Sequence, residues 1–573
     1  MKTENSSRDL KRKKIISCTG GVIALVFYII SCIMVARNNA VAKASARGDD
    51  SGVQTITIAH WQLEDGFREG IDYAIKEFEK LKAQEGKRVK VIQNTVPARG
   101  YSQWYITQLI SGNPADIIEL SQSQELQSRY FLPLSNVIAK PNPFNKGTFA
   151  ENIPWKDTFI DGMDSSINEV LSEYYGIGVF RHVTRLYVNL DLLKAATGSE
   201  EMPKTFDQWL ECCRKLEEYG QKVGRRIIPV GVRGIDKSTV SALFHRYFAQ
   251  FNSDQNDKFA IFGDALLTTQ EKIIAMGKGE TDMKRMLIPV RMVRDIGKYF
   301  SEGFTTTDET QTKFLFFTGN VAFYMEGTWS AWTLVNNTPF KVAIATVPYV
   351  SSDSKYYDAF IGRCYESNVG VSGRFGVARA SRNPELALEF LQFLTSWKMN
   401  QKTMMEFCRW PTVVINSEYK GFLESMKPDK GDSRRSIAPA FFFGNKSQTS
   451  MLETLEKIII TQSQEPEKDF LENFRKNIPV MRTEIKALSD SHERQFFDIE
   501  GSRNIINAEL LNDNTPTEKH LNARFRMAMT LENVVNRHRL YRVTKKSFSA
   551  LEDVEKDLDN YTGKNIGNAI YGN

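Results

Sequence analysis

The sequence predicts an α/β protein in which helices cover both faces of the sheets. Short apolar strands alternate with amphipathic helices from residue 55 onward, and this alternation is typical of that class. Of the 573 residues, 41% are hydrophobic and 25% are charged, values that are typical of globular proteins. The net charge of +6 comes mostly from residues 1–14, so the rest of the chain lacks the basic face of a nucleic-acid-binding protein.

The first element along the chain is a hydrophobic segment that indicates export. Residues 15–36 contain no charged side chain, and the basic cluster Lys11–Lys14 comes directly before them. An apolar run of 22 residues is long enough for one membrane-spanning helix. Because the basic cluster favours the cytoplasmic side of a membrane, we expect the chain after residue 37 to be translocated.

We interpret residues 1–37 as a signal peptide or membrane anchor and residues 38–54 as a flexible linker. Three fates of the hydrophobic segment are open. The small-x-small patterns at positions 40–42 and 44–46 fit cleavage by a signal peptidase. Ile29–Cys32 resembles a bacterial lipobox, which would make the protein a lipoprotein acylated at Cys32. The third alternative is a segment that is retained as a transmembrane helix.

The exported part begins with alternating strands and helices. Runs of β-branched residues indicate the strands, and apolar residues at helical spacing indicate the helices. We predict a strand at 55–59, a helix at 71–81, a strand at 89–92, a helix at 104–110 and a strand at 114–120. We expect Asp116, directly before the buried pair Ile117–Ile118 of the last strand, to bond to nearby backbone groups and fix the entry into the strand.

Local capping signals place further elements later in the chain. Thr205–Gln208 predicts a capping box, in which the Thr hydroxyl and the Gln amide satisfy backbone N–H groups reciprocally at a helix start. Residues 226–232 read as a strand that ends at a candidate site loop. Asn383 predicts a helix N-cap because Pro384 follows it at the first helical position.

The cysteines indicate neither a zinc ribbon nor a redox motif, because no CxxC spacing occurs. Cys212 and Cys213 fall in a predicted helix, where we interpret them as core residues. A disulfide between Cys364 and Cys408 is an open alternative in an oxidising compartment.

Four stretches in sequence order resemble a known family. They are residues 55–82, Ser111–Ile117, residues 175–209 and Phe317–Trp329. They are similar to the strand, loop and helix motifs of extracellular solute-binding proteins of the sugar-binding, maltodextrin-binding-protein type, which are the receptor components of ABC importers. The resemblance covers residues 55–400. The sequence departs from the family pattern at Gly178, where a Pro is usual, and at Val188, where an aromatic residue is usual.

The resemblance implies a two-lobe periplasmic-binding-protein fold of the class II type, with a hinge and an interlobe cleft. Each lobe would be discontinuous in sequence. On this expectation, lobe one comprises residues 52–178 and 313–370, lobe two comprises residues 179–312 and 371–500, and residues 501–573 form a helical C-terminal extension.

The resemblance also implies that the protein binds a ligand and catalyses no reaction. The protein would bind a carbohydrate, expected to be an oligosaccharide, and deliver it to the membrane subunits of an ABC permease. It would act in the periplasm or at the outer face of the cytoplasmic membrane, held there by the N-terminal segment, with no nucleic acid as a partner.

Searches for catalytic motifs support the absence of chemistry. The chain lacks HExxH, GxSxG and a P-loop, and its six histidines form no pair with metal-ligand spacing, so we predict no catalytic residue, no metal and no cofactor. Carboxylates are abundant, however, and a carbohydrate hydrolase is one alternative. A membrane-anchored ligand sensor or adaptor is another.

Candidate ligand-binding residues are those that can stack on a sugar or bond to its hydroxyl groups. Trp61 and Trp329 follow strand motifs at positions where a ring can face a ligand. Arg181 and Arg374 fall where the chain is expected to cross between the lobes, and an interlobe salt bridge is the alternative role for each. The complete predicted set is Trp61, Glu64, Glu119, Arg181, Trp329, Arg374 and Trp410.

Overall fold

The computed structural model describes residues 52–63, 66–121, 124–168, 173–259, 265–357, 370–408, 412–427, 440–511, 527, 541–556 and 558. The predicted signal or anchor at 1–37 lies outside these residues, as do Glu64, Trp410 and Cys364. Among the helices described, none combines the length and the apolar character that crossing a membrane requires.

The described residues contain eleven strands. They are β1 (Gln54–His60), β2 (Val89–Thr95), β3 (Ile117–Glu119), β4 (Ile167–Asn168), β5 (Glu173–Tyr174), β6 (Ile177–His182), β7 (Thr184–Asn189), β8 (Ile228–Gly231), β9 (Val321–Gly327), β10 (Val342–Ala345) and β11 (Gly370–Val377). Every strand predicted from the sequence lies within or overlaps one of these.

Helices connect the strands and form most of the C-terminal part. They are α1 (Phe67–Gln84), α2 (Ala98–Ile110), α3 (Gln124–Tyr130), α4 (Ser135–Ile138), α5 (Leu190–Thr197), α6 (Phe206–Val223), α7 (Ser238–Phe259), α8 (Ala265–Gly277), α9 (Met283–Gly297), α10 (Glu309–Phe317), α11 (Ala331–Asn336), α12 (Pro384–Leu394), α13 (Trp397–Lys402), α14 (Asn445–Thr461), α15 (Pro466–Leu510) and α16 (541–556). A π-helical turn at Thr403–Cys408 follows α13.

Two separate sheets organise these elements into two lobes, which confirms the predicted α/β class. The first sheet has the strand order β2-β1-β3-β11-β6, and the second has the order β10-β7-β9-β8. In the first sheet β1 runs parallel to β2 and β3, whereas β11 is antiparallel to both of its neighbours. In the second sheet β7 is antiparallel to β9 and β10, and β8 is parallel to β9.

The strand pairing divides the chain between the two sheets differently from the predicted lobes in three places, because hydrogen bonding decides which sheet a strand joins. β6 extends lobe one to His182 rather than to residue 178. β9 and β10 pair within the second sheet, although residues 313–370 were assigned to lobe one. β11 pairs with β3 and β6, and α12 packs in the same core, although residues 371–500 were assigned to lobe two.

The C-terminal helices belong to lobe two. α15 runs without interruption through the predicted boundary at residue 500. Its residues Phe470 and Ile485 share a hydrophobic core with Leu551 and Val554 of α16. At Gly277, at the end of α8, an added Cβ would lie 2.7 Å from the carbonyl oxygen of Ala550, so the close approach of α16 requires glycine there.

The capping predictions are confirmed at one helix and differ at another. At the start of α6, the backbone N–H of Gln208 donates to the Thr205 hydroxyl, and the Gln208 side chain accepts from the Thr205 N–H, each at 3.3 Å. Asn383 makes no side-chain cap for α12. Its side-chain amide donates instead to the carbonyl oxygen of Thr55 at 3.1 Å, so it ties α12 to β1.

Asp116 fixes the entry into β3, as the sequence predicted. One carboxylate oxygen accepts from the backbone N–H of Thr57 at 2.7 Å and from the Thr57 hydroxyl at 3.0 Å. The other accepts from the hydroxyl of Ser381 at 2.6 Å. One carboxylate therefore joins β1, β3 and the segment that leads into α12.

We expect Asp116→Ala to lower the free energy of unfolding by about 2 kcal/mol, because several partly buried donors lose a charged acceptor. Urea unfolding of the purified protein measures this change. The exposed Asp157, also in lobe one, provides the control, and Asp157→Ala should change the free energy by less than about 0.5 kcal/mol. Equal effects of the two substitutions would contradict the assigned role of Asp116.

Candidate functional site

Strand direction brings one end of each sheet to the connection between the lobes. Because β11 is antiparallel to both β3 and β6, strands β1, β3 and β6 all run in the same direction. Their carboxyl ends therefore lie together, at the end of the first sheet where the chain leaves His182 for β7. Ligands of α/β proteins bind outside the carboxyl ends of the strands.

The second sheet turns the carboxyl ends of β8 and β9 toward the same connection. Gly327 at the end of β9 pairs with Thr184 at the start of β7. The connection is bonded to the turn after β9, since the N–H of Thr328 donates to the carbonyl oxygen of Val183 at 2.9 Å. Loops at these two facing ends therefore form the walls of the interlobe cleft.

A pocket of about 450 Å³ lies at the carboxyl end of the first sheet. Residues from the ends of β1 and β3, the first turns of α2 and the start of β11 line it. They are Trp61, Ala98, Tyr101, Ser102, Leu120, Ser121, Val371, Ser372, Gly373 and Arg374. The pocket thus combines aromatic rings, three serine hydroxyls and one guanidinium group.

The aromatic wall of the pocket is built by Trp61 and Tyr101. Their ring centroids are 4.7 Å apart, in an edge-to-face arrangement at 65°. The Tyr101 hydroxyl donates to the backbone carbonyl oxygen of Glu119 at 2.6 Å. Burial raises the pKa of Tyr101 well above its ordinary value, so its hydroxyl group stays protonated.

Glu119 lies behind this wall rather than in the pocket lining. Its side chain is fully buried. One carboxylate oxygen accepts from the side-chain amide of Gln62 at 2.6 Å, and the other accepts from the backbone N–H of Trp61 at 3.3 Å. We infer that Glu119 positions the Trp61 loop.

His60 supports the same loop as a neutral ring. Its Nδ1 accepts from the backbone N–H of Gln62 at 3.2 Å, so Nε2 carries the proton and donates to Gln93 at 2.7 Å. Burial lowers the pKa of His60 to about 4. The imidazole is therefore uncharged at neutral pH.

Arg374 enters the pocket from β11. The residue before it, Gly373, has a φ of +57°, and a Cβ there would lie 2.5 Å from the Phe180 ring, so this position requires glycine. The Arg374 guanidinium makes a long hydrogen bond of 3.5 Å to the carbonyl oxygen of Ser165. Burial lowers the pKa of Arg374, and the Glu119 carboxylate opposes that shift.

Trp329 and Arg181 lie at the connection between the lobes. The Trp329 ring covers Gly327, where an added Cβ would lie 2.3 Å from it. It also contacts the His182 ring edge-to-face at 5.5 Å. His182 in turn bonds through Nδ1 to the hydroxyl of Ser372, a pocket residue, at 2.8 Å. Arg181 is buried on β6, opposite Val371 in the ladder.

The structure therefore brings two of the predicted ligand residues, Trp61 and Arg374, into one pocket. The sequence pattern missed Tyr101 and Ser102, because the first turn of α2 lies before the apolar residues that marked that helix. The signal available was Pro97, since a proline directly before a helical pattern is typical of a helix start. Among the residues that the structure describes, no group of acidic, His or Cys side chains is arranged to hold a metal ion.

The sequence model of bacterial extracellular solute-binding proteins matches residues 63–401. The chain belongs to this family. The predicted resemblance is thereby confirmed, and membership implies an exported protein that binds a solute. No curated protein sequence matches the chain.

Solved structures show that this solute-binding protein has the two-lobe fold of its family. RafE from Streptococcus pneumoniae, in its apo form, is 18% identical with a TM-score of 0.52, over 75% of this chain and 98% of that one. A chitin oligosaccharide binding protein is 14% identical with a TM-score of 0.51, over 74% and 98% of the two chains. An ABC substrate-binding protein from Listeria monocytogenes, in complex with cycloalternan, is 17% identical with a TM-score of 0.50, over 75% and 99%.

We expect the solute-binding protein to lose stability as the pH falls from about 6.5 to about 4, partly because of His60. In that range the unfolded chain binds a proton at His60 that the folded protein excludes. The difference corresponds to about 3 kcal/mol over the whole range. Urea unfolding at several pH values should show a shallower pH dependence for His60→Gln than for the wild type. Parallel curves for the two proteins would contradict this assignment.

Proposed function

We propose that this protein binds a carbohydrate in the pocket beside Trp61 and delivers it to the membrane subunits of an ABC permease. The observation that carries the proposal is the composition of the pocket. An aromatic wall, three serine hydroxyls and one guanidinium group meet at the carboxyl end of a sheet, next to the connection between two lobes.

The chemistry of these groups suits a sugar. A pyranose ring presents apolar C–H groups on its faces, which pack against an aromatic ring such as that of Trp61. Its hydroxyl groups lie around the rim, where Ser102, Ser121 and Ser372 can donate or accept hydrogen bonds. A pocket of about 450 Å³ also falls within the range of roughly 300–1,000 Å³ that is usual for small-molecule sites.

The compared structures support an oligosaccharide as the ligand class. One is named as a chitin oligosaccharide binding protein, and another contains cycloalternan. On our proposal the second lobe closes over the bound sugar by a hinge movement at the connection. Trp329, which follows the carboxyl end of β9, would then provide a second contact. Glu64 and Trp410, which lie outside the described residues, stay in the proposed set, and so does Arg181.

We further propose that the protein works outside the cytoplasm, held at the outer face of the membrane by residues 1–37 or released after cleavage. Mass spectrometry of the mature N-terminus distinguishes the alternatives of cleavage, acylation at Cys32 and retention. An intact N-terminus would favour the sensor or adaptor function over a released receptor.

On this proposal the protein catalyses no reaction on its ligand. A glycoside hydrolase requires two carboxylic groups beside the scissile bond. None of the ten described residues that line the pocket is acidic. Glu119 lies behind the lining, and its carboxylate accepts hydrogen bonds from the Trp61 loop. A reducing-end assay with oligosaccharides should therefore detect no product.

We expect Trp61→Ala to weaken oligosaccharide binding by about 1–3 kcal/mol, or roughly 5- to 150-fold in Kd, because the sugar loses its stacking surface. Titration calorimetry measures the affinity, after a thermal-shift screen has identified a sugar that binds. Trp397, also half-buried in lobe one but absent from the pocket lining, provides the control. Equal affinity of Trp61→Ala and the wild type would remove Trp61 from the site.

We expect Trp329→Ala to weaken binding by a similar amount while the melting temperature changes little, if its ring contacts the sugar in the closed form. Trp332→Ala, one turn further along, is the matched control, since the Trp332 ring instead packs near Phe422 at 6.4 Å. A large fall in melting temperature with unchanged affinity would make Trp329 a structural residue of the lobe connection.

A further inference from the structure

We infer that the carbohydrate carries a carboxylate, and that Arg374 binds it. The ligand class would then be uronate-containing oligosaccharides rather than neutral ones. This inference rests on the proposed function, because it concerns the same pocket. Three observations on Arg374 lead to it: it is the one charge in the described pocket lining, it makes no salt bridge with the residues that the structure describes, and it lies beside the stacking surface.

Arg374 is the one charged side chain among the described residues that line the pocket. The other nine are aromatic, aliphatic, glycine or serine. A neutral sugar can be held by hydroxyl groups and aromatic rings, which carry no net charge. A guanidinium group in such a lining instead favours a ligand group of opposite charge.

The guanidinium group also has unused hydrogen-bonding capacity. An arginine side chain has five N–H donors. Within the described part of the chain, Arg374 makes no salt bridge, and its side chain makes one long hydrogen bond, to the Ser165 carbonyl oxygen at 3.5 Å. A partly buried arginine that lacks a close anionic partner is a costly feature unless a ligand completes it.

The Glu119 carboxylate bonds to other groups than the Arg374 guanidinium in the hydrogen bonds that the structure describes. Its oxygens accept from the backbone N–H of Trp61 and from the side-chain amide of Gln62. Its charge favours the charged form of the Arg374 guanidinium. Glu119 thereby lets the pocket retain a cation when no ligand is bound, and it leaves the N–H donors available.

The geometry of a single guanidinium favours a carboxylate over a phosphate ester. Two parallel N–H groups of arginine match the two oxygens of a planar carboxylate. A phosphate monoester carries close to two negative charges at neutral pH, and the lining supplies only one cation together with neutral hydroxyls. Trp61 lines the same pocket, so one uronate residue can stack and form the ion pair together.

Gly176, directly before β6, and Gly178, on β6, lie close against residues of the pocket wall. An added Cβ at Gly176 would lie 3.6 Å from the Cβ of Arg374 and 2.5 Å from the Leu120 side chain. Gly178 pairs with Arg374 in the ladder, and a Cβ there would lie 2.0 Å from Val371. A larger residue at either position would displace residues of the pocket wall.

The test compares acidic oligosaccharides with their neutral forms by titration calorimetry. The ligands are trigalacturonate, a trisaccharide of mannuronate and a xylo-oligosaccharide that carries glucuronate, each as the free acid and as the methyl ester. We expect at least one acid to bind at least tenfold more tightly than its ester, and added salt to reduce that preference. A sulfated and a phosphorylated oligosaccharide form the third arm.

Variants locate the effect at Arg374. Arg374→Gln should weaken binding of the acid by roughly ten- to a hundredfold, because a charge-assisted bidentate contact is lost, and should leave binding of the ester nearly unchanged. Arg374→Lys keeps the charge but not the planar fork, so it should fall between the two. Arg379→Gln is the matched control, since Arg379 is exposed and does not line the pocket. Melting temperatures show whether each variant is folded.

The outcomes separate this inference from the proposed function. If acids and esters bind wild type equally, or if Arg374→Gln weakens both forms alike, the carboxylate inference is overturned and carbohydrate binding stands. Tighter binding of the sulfated or phosphorylated sugar would overturn the choice of a carboxylate. If no carbohydrate in any arm binds to the folded protein, both the inference and the proposed function fail.

Discussion

The buried carboxylate of Glu119 is the interaction on which the pocket depends. It lies at the end of β3, and its side chain accepts from the N–H of Trp61 and from the amide of Gln62, while its backbone carbonyl oxygen accepts from the hydroxyl of Tyr101. A carboxylate without access to water is costly unless its oxygens are satisfied. The loop after β1 and the first turns of α2 must therefore stay where they can donate, and this requirement fixes both aromatic rings of the pocket wall.

The short strand β3 carries a second carboxylate at its other end, and together they tie the strand into the sheet. Asp116 bonds to β1 and to the segment before α12, whereas Glu119 bonds to the loop after β1. Because β3 lies between β1 and β11, it also receives backbone hydrogen bonds from both sides. A strand of three residues can hold this central position because the side-chain hydrogen bonds of Asp116 and Glu119 add to its few backbone hydrogen bonds.

Local patterns predicted the elements well and the long-range arrangement less well. The capping box at Thr205 and the place of Trp61 after the first strand each depend on neighbours in sequence, and the structure confirms both. The partners of Asp116, Thr57 and Ser381, lie far from it in the chain, so the pattern predicted its role but not these partners. The sheet that β11 joins depends on hydrogen bonds to β3, some 250 residues earlier, which periodicity cannot reveal. For the same reason the sequence could suggest that Glu119 reaches the cleft, but it could not show that the Glu119 carboxylate accepts a hydrogen bond from the backbone N–H of Trp61.

A chain of contacts connects the pocket to the second lobe through Ser372, His182 and Trp329. The chain matters for how a bound ligand would shift the balance between open and closed forms. Ser372 lines the pocket and bonds to His182, whose ring meets Trp329 from the turn after β9. The ten described residues that line the pocket all belong to lobe one, so a sugar can bind before the lobes close. A ligand shifts an equilibrium between open and closed forms only by its difference in affinity for the two. On the proposed function, lobe one therefore sets which sugar enters, while contacts from the ends of β8 and β9, made only in the closed form, determine how far binding favours closure.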